Sequence, residues 1–540
     1  MERIQDDIIV IGGGIAGIVA SLELLSAGRS VTLLDRDIEE NFGGLAKESF
    51  GGLFVVDSAE QRRSGIRDTP DLALRDWLAF GEFTAAEVWP RRWAEAYVHG
   101  CNEEVYCWLK KLGISFMPTP NWAERGQFTA GNSLPRFHMI WGTGQELMRC
   151  LIEKLRNHPC KAALTLKFDY RVESLTTEGG RIAGCQGTRE RNDNDTPFEA
   201  RCNALIIATG GINGDLDRVR RHWHADWGHP PEKLLNGSHR YADGKLHDAV
   251  EAVHGQITHL DRMWNYAAGV HHWLPRKPDH GLSLIPPRSA LWLNWCGERI
   301  GPQPLVSGFD TRELVTRICH EKHAHSWQIL NHKIALRELA VSGAEFNPSI
   351  RDKRPLAFLR TLAFGNHSLV DELTRNCPDF VIAHSLNELT DKMNVLQGDN
   401  AIDPTVLTDA VTSYDDQIQR GPRLHNDEQL RRIAHLRRWP VDRLRTCRFQ
   451  KIVDPHAMPL IAIREFIISR KSLGGIQTDL DCRVLDVQGS PIPGLHAIGE
   501  AAGFGGGGMH GLRALEGTFL GGCIFSARRV ARSLISGAEN

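Results

Sequence analysis

A buried strand, a glycine turn, a helix, a second strand and a terminal acid follow one another between residues 8 and 35, and few folds accept that order. Residues Ile8 to Ile11 read IIVI, a β-branched run suited to a strand covered on both faces, as in a parallel sheet. GGGIAG follows at once, with Gly12, Gly14 and Gly17 at G-x-G-x-x-G spacing, and then Ile15, Ile18, Val19, Leu22 and Leu25 recur on one helical face until Gly28. VTLL, from Val31 to Leu34, predicts the second strand, and Asp35 ends it. The first glycine permits a tight turn, the second lets backbone approach a pyrophosphate, and the third lets helix and sheet pack closely. The acid accepts hydrogen bonds from a ribose. Amides and dipole at the helix N-terminus complete an anion site, so the segment predicts dinucleotide binding over its competitor, a plain strand-to-helix turn.

Nicotinamide and flavin dinucleotides share this fingerprint, and three other segments favour FAD. ENFGGLAKESFGG, ending at Gly52, offers the glycine pairs Gly43–Gly44 and Gly51–Gly52, where backbone can lie against a flat ligand. ALIIATGG, Ala204 to Gly211, is another buried strand ending in small residues. Near the far end, the turn Pro493-Gly494 precedes the strand LHAI, Gly499-Glu500 and the glycine run Gly505 to Gly508. From about Leu515 a helix follows, with Leu515, Phe519, Cys523, Ala527 and Val530 on one face.

Composition narrows the remaining classes. The 540 residues exceed one compact domain, and 41% hydrophobic with 24% charged residues is ordinary globular usage. Because 64 basic and 66 acidic side chains nearly cancel, no global field draws nucleic acid or an anionic membrane, and any ligand is recognised locally. No run of 18 apolar residues predicts a transmembrane segment, and strand-like sequence beginning at Ile8 leaves no room for a signal peptide, so a cytoplasmic location is the expectation. The 12 cysteines contain no Cys-x-x-Cys pair and read as reduced thiols.

GGGIAG, ESFGG, IIATGG, YADGK (Tyr241 to Lys245), SLGGIQTD (Ser472 to Asp479) and IPGLHAIGEAAG (Ile492 to Gly503), in this order, resemble the flavoproteins of the fumarate reductase and succinate dehydrogenase family, in particular its ketosteroid-dehydrogenase-like branch. The resemblance implies an α/β fold with a Rossmann-like FAD-binding domain built from both chain ends, residues 1–262 and 469–540. An α+β capping domain, residues 263–468, is inserted between them, and the active site is expected between cap and FAD domain. It implies that Gly12, Gly14, Ile15, Ala16, Gly17 and Asp35 hold the ADP half and that Gly44, Ser49 and Gly52 approach the flavin, with Arg36, Gly43, Leu45 and Gly51 also among the expected cofactor residues. Val172, Ala208, Thr209, Gly210, Asp243, Gly499, Glu500, Gly517 and Thr518 complete the expected cofactor set, with Glu500 at the ribityl chain. A C-terminal helix starting near Gly517 would aim its N-terminus at the flavin pyrimidine ring. Members with covalent flavin carry a histidine before the second glycine pair, where this chain has Ala46-Lys47-Glu48-Ser49, so noncovalent FAD is expected.

For catalysis, Arg513 in MHGLRALEG aligns with a substrate-binding arginine of the fumarate reductases and a catalytic tyrosine of the ketosteroid dehydrogenases. A guanidinium stays protonated, so it clamps a carboxylate or polarises a carbonyl. Its competing reading is a salt bridge with Glu516 or Glu500. Arg470 and Lys471 stand where the fumarate reductases place histidines, which weakens a dicarboxylate reading. Tyr266, His271 and His510 are the proton-transfer candidates, with His272 beside His271, and Arg312 in GFDTRE sits, across a longer loop, where fumarate reductases carry a proton-donating arginine.

Other features read as structure. Residues 87–112 and 145–155 predict helices. HEKHAH (His320, His323, His325) lacks zincin spacing and reads as a solvated helix face, no metal site being expected, and Arg431, Arg432, Arg437 and Arg438 read as a surface helix paired with acids. The tryptophans read as packing, with Trp264, Trp273 and Trp292 as a possible flat apolar lining. The expected reaction is hydride exchange between flavin N5 and a carbon–carbon bond next to the carbonyl of a small-molecule substrate, as α,β-dehydrogenation or ene reduction. The alternatives are a flavin oxidase or monooxygenase, or a flavoprotein subunit of an electron-transfer complex. Neither a C-x-x-C-H motif nor a ferredoxin-like cysteine cluster occurs, so the electron acceptor is not specified by the chain.

Overall fold

Ile8–Ile11 forms a strand with every residue buried, and it pairs in parallel with Val31–Leu34 on one side and Ala204–Ile207 on the other. Each enclosed isoleucine contributes about 1.5–3 kcal/mol, which explains the absence of polar residues from this strand. Leu164–Lys167 extends the sheet beyond Val31–Leu34. Pro491–Ala497, from the far end of the sequence, pairs in parallel with Ala204–Ile207 and antiparallel with Arg483–Leu485, so six strands from both chain ends make one sheet. A four-stranded sheet of Glu2–Gln5, Thr196–Arg201, Arg181–Arg189 and Tyr170–Glu178 lies apart from it in hydrogen bonding.

This computed structural model describes residues 1–190 and 195–536. The protein is a mixed α/β fold in two units, one of Met1–His222, Ser238–Trp264 and Lys471–Asn540, the other of Trp223–Gly237 and Asn265–Arg470. In the first unit the helix Ile15–Ser26 ends as the sequence predicts. Gly28, at φ +75°, donates to the Leu25 carbonyl and Arg29 to that of Leu24, a left-handed glycine stop. The C-terminal helix, Thr518–Ser536, buries the predicted Phe519, Cys523, Ala527 and Val530, and Arg528 reaches Glu23 of the first helix at 3.4 Å. Residues 88–111 are helical throughout, with a wider π-helical stretch at Cys101–Cys107, and Thr143–Arg156 is a helix. A fully enclosed Arg136 is paired with Asp68 at 2.7 Å and Asp76 at 2.5 Å, so its charge is compensated inside the core.

The second unit is organised on an eight-stranded sheet around Leu460–Ser472, whose antiparallel neighbour His325–Asn331 pairs with it along its whole length. Trp327, Ile329, Ile461 and Ile463 are among its core residues. Four of its helices begin at side-chain caps: Asp310, Ser385, Asp403 and Asp427 each accept from a first-turn amide. Residues 223–237, assigned from sequence to the N-terminal part, belong to this unit instead. Leu235–Asn236 pairs in parallel with Ile468 and Ser469, a two-residue pairing with no periodicity to announce it.

HEKHAH is not one helix face either. The helix Thr311–Cys319 ends before it, His323 lies in a turn and His325 starts a strand. Arg431 and Arg432 do pair with Glu428 on the helix Glu428–Leu436. Among the described residues no helix is long and apolar enough to cross a membrane. All 12 cysteines are free thiols.

Candidate cofactor and catalytic site

The glycine turn is built by exclusion. Gly12 has φ +108°, and a Cβ there would lie 2.4 Å from the Ala208 carbonyl oxygen; one on Gly17 would lie 2.0 Å from the Gly12 oxygen. Gly14 caps the helix Ile15–Ser26 with no side-chain hydrogen bond, and a Cβ on it would meet no atom within 4 Å. The first-turn amides of Ile15, Ala16 and Gly17 therefore have no capping side chain, the arrangement that suits a phosphate. Gly43 donates its amide to the Gly13 carbonyl at 2.9 Å, which brings the second glycine pair and Leu45 alongside the first turn.

At the end of the second strand, the Asp35 carboxylate accepts from the amides of Gly13 and Asp37 at 2.9 Å. Burial pushes its carboxyl up, against those two amides. Arg36 pairs with Asp243 at 2.9 Å and lies over the Tyr241 ring at 4.3 Å, so two expected cofactor residues bind each other through the YADGK segment. Burial would also raise Asp37, but His239, Asn41, the Ile38 amide and Arg240 outweigh it and hold that carboxyl well below the usual range. Asp37 is an anchoring acid absent from the sequence reading.

Three distant motifs interlock beside this turn. Ser472 of SLGG donates its amide to Glu500 Oε1 at 2.9 Å, while its hydroxyl accepts the Ile212 amide and bonds Asn213 Oδ1. Thr209 and Gly210 lead from the strand Ala204–Ile207 into that segment, and the Gly499 amide donates to Ser526 of the C-terminal helix at 3.0 Å. Gly517, at φ +97°, accepts the Phe54 amide at 2.9 Å, which ties the strand Gly52–Phe54 to the start of the helix at Thr518. Ser49 and Gly51 meet the residues before and within the helix Thr143–Arg156: Gly144 donates to the Ser49 carbonyl, and a Cβ on Gly51 would strike Thr143. Gly144 is a missed member of this group, signalled only by the glycines of WGTG. Val172 is buried in a core cluster with Ile11 and Leu34, in a strand whose register shifts just after it.

The catalytic candidates are divided between the two units. Arg513, 11% exposed, pairs with Glu82 at 2.8 Å. Glu516 accepts the Trp264 indole N–H at 3.0 Å. Lys471 lies 3.9 Å from the Phe519 ring centre. His510 does not qualify as a proton relay: it is fully enclosed, stacked on Trp77 at 5.7 Å, and joined through Nε2 to the Thr518 hydroxyl at 2.8 Å. Burial, with the Lys471 charge adding to it, pushes its imidazole down to about 3 and keeps it neutral.

In the second unit His271 Nδ1 bonds the buried Asp379 carboxylate at 2.8 Å, which also takes the His271 amide and Arg464. That leaves Nε2 of a partly exposed ring for proton transfer. Tyr266, half-buried, packs on Leu235, Phe466 and Ile468. Arg312 is committed elsewhere, 7% exposed with Asp226 at 2.8 Å and the Trp227 ring beneath it, which removes the support for it as a proton donor. Trp273 meets Phe346 edge to face and Trp292 donates to Ser326, so both tryptophans are engaged in local packing. Among the described residues no group of three metal-ligating side chains occurs.

The FAD binding domain family matches residues 7–520. A KsdD-like steroid dehydrogenase of Mycobacterium tuberculosis is 42% identical over 98% of this chain and 96% of its own length. In structure, a 3-ketosteroid Δ1-dehydrogenase from Sterolibacterium denitrificans, in complex with 1,4-androstadiene-3,17-dione, aligns with TM-score 0.68 and 17% identity over 99% of this chain and all of that one. A flavocytochrome c3 fumarate reductase in an open conformation aligns with TM-score 0.68 and 17% identity, over 99% of this chain and 79% of that one. At that identity the structural likeness speaks for the fold alone. The chain belongs to the FAD binding domain family, among its KsdD-like steroid dehydrogenases.

Proposed function

We propose that this protein is an FAD-dependent dehydrogenase that removes hydrogen across a carbon–carbon bond adjacent to the carbonyl of a 3-ketosteroid. The observation that carries the substrate class is 42% identity along 98% of the chain to a KsdD-like steroid dehydrogenase. The uncapped helix at Gly14, the open approach at that residue and the paired glycines fit a dinucleotide, so Gly12 to Gly17 and Asp35 hold its ADP half, with Glu500, Ser49 and Gly517 toward the flavin. The turn Gly44–Glu48 contains no histidine, which supports noncovalent binding. In this reading the first unit is the FAD-binding domain and the second its capping domain.

When bound, FAD supplies the hydride acceptor. The chain's own residues do the rest. Arg513, fixed by Glu82, polarises the substrate carbonyl and so acidifies the adjacent C–H. Within the second unit, His271, its Nδ1–H held by Asp379, offers Nε2 as a proton acceptor, and Tyr266 offers its phenolic oxygen as the alternative.

Purified protein is expected to be yellow, and anaerobic addition of a 3-ketosteroid is expected to bleach it without NAD(P)H. A flavin that stays oxidised across a panel of 3-ketosteroids overturns the assignment. Arg513→Met is expected to lower kcat/KM by about 10²–10³-fold while leaving flavin content unchanged. Glu82→Gln, which loosens the guanidinium without removing it, should cost about tenfold. An Arg513→Met enzyme within about twofold of the parent would return Arg513 to a structural salt bridge.

A further inference from the structure

The helix Pro355–Phe364, PLAFLRTLAF, buries none of its residues although it is apolar on all sides. Phe358 and Leu362 are half-covered on its inner side, whereas Leu356 is 82%, Leu359 57% and Phe364 72% exposed on the outer one. A surface helix of a water-soluble fold carries polar residues on its outer face, and a helix apolar all round is ordinarily covered by something.

The charges nearest it are mostly positive, since Asp352, 3.8 Å from Arg354, is already held by Arg351 at 2.7 Å. Lys353, Arg354 and Arg360 are exposed, and no carboxylate occurs from Lys353 to Val370. Arg360 lies four residues from both Leu356 and Phe364, within the apolar face itself, where its stem can lie along hydrocarbon and its guanidinium can reach a phosphate. The loop 273–278, WLPRKP, adds to the same region. Leu274 is 69% exposed, Trp273 meets Phe346 edge to face, and Arg276 pairs with Glu345 at 2.6 Å, whose carbonyl accepts from Arg351 just before the helix.

We propose that the helix Pro355–Phe364, with the Leu274 loop beside it, docks this protein on an anionic phospholipid bilayer. Apolar tips enter the acyl boundary and the interleaved cations meet headgroup phosphates, the pattern of a helix lying in the membrane plane. Cations threaded through the apolar face, with no acid among them, suit lipid headgroups better than a protein surface, where lysine is depleted and the buried centre lacks charge. The whole chain is near neutral, so the attraction is local to this patch. The proposal is independent of which substrate the enzyme takes.

The test is co-sedimentation of the full-length holoprotein with phosphatidylcholine vesicles containing about one third phosphatidylglycerol, against pure phosphatidylcholine. Binding is expected to the mixed vesicles, weakened by high salt, and reduced about tenfold or more in Leu356→Asp/Leu359→Asp/Phe364→Asp and in Arg354→Glu/Arg360→Glu. These residues are exposed and lie outside the cofactor machinery, so flavin content and solution activity should match the parent. Absence of vesicle binding by the parent, or equal binding by both variants, overturns the proposal. So does light scattering that shows a parent dimer and a monomeric triple variant without lipid, since the face would then be a contact between copies.

Discussion

Gly17→Val is expected to yield a protein that is poorly folded and without flavin, whereas Gly14→Val should fold normally and still lack flavin. At Gly17 the Cβ alone would sit 2.0 Å from the Gly12 oxygen, an overlap that neither a rotamer change nor a flexible neighbour can relieve. The helix must move off the sheet, at a cost of about 2–4 kcal/mol or more. At Gly14 a Cβ would meet no protein atom within 4 Å, and the residue has φ −78°, so the backbone accepts a side chain there without strain. It would obstruct only what approaches the bare helix end. Thermal melting and the visible flavin spectrum of the two variants therefore separate a structural glycine from a cofactor glycine. A Gly14→Val protein with full flavin occupancy would show that the phosphates lie elsewhere.

That contrast also marks what the sequence discloses. The turn at residues 12 to 17, the stop at Gly28 and the strand at Ala204–Ile207 are legible because each depends on neighbours within a few residues. The interlock of Ile212, Ser472 and Glu500 is half legible: every motif stands out by its small residues, but the hydrogen bonds that join them depend on the folded sheet. The Arg513–Glu82 pair and the Asp379 partner of His271 were invisible, since a carboxylate far away in sequence carries no local sign of its target. His510 misled for the same reason. Proximity to the glycine run suggested chemistry, while enclosure by Trp77, Phe504 and Phe519 makes it a core residue. The grouping of residues 223–237 with the second unit is not legible, because the two-residue parallel pairing of Leu235–Asn236 has no pattern to read.

Enclosed neutral histidines make the first unit acid-labile above the range where its carboxylates protonate. His138, His247 and His496 are pushed down to about 4 and His510 to about 3, in each case chiefly by burial. Cations add to the effect: Arg218 beside His247, Arg483 beside His496 and Lys471 beside His510. Around His138, Glu60 and Asp68 act in the opposite sense without outweighing burial. In the unfolded chain each imidazole returns to its ordinary value of 6.5, so between that value and about 4 the unfolded state binds more protons than the folded one. The stabilising contribution is complete above pH 6.5 and is lost as pH falls toward the folded values. At about pH 5 each histidine has given up about 2 kcal/mol, so even partial hydration leaves four of them a large share of a typical folding stability. Glu60 and Glu87, whose carboxyls are held below 4.5, are still ionised there and do not contribute to this loss. Scanning calorimetry with flavin fluorescence should show Tm falling and flavin released between neutral pH and about pH 5. His247→Leu, which removes a fully buried imidazole, should flatten the slope. A Tm constant across that interval would mean that water reaches these rings and that the first unit is less tightly closed around them than the packing indicates.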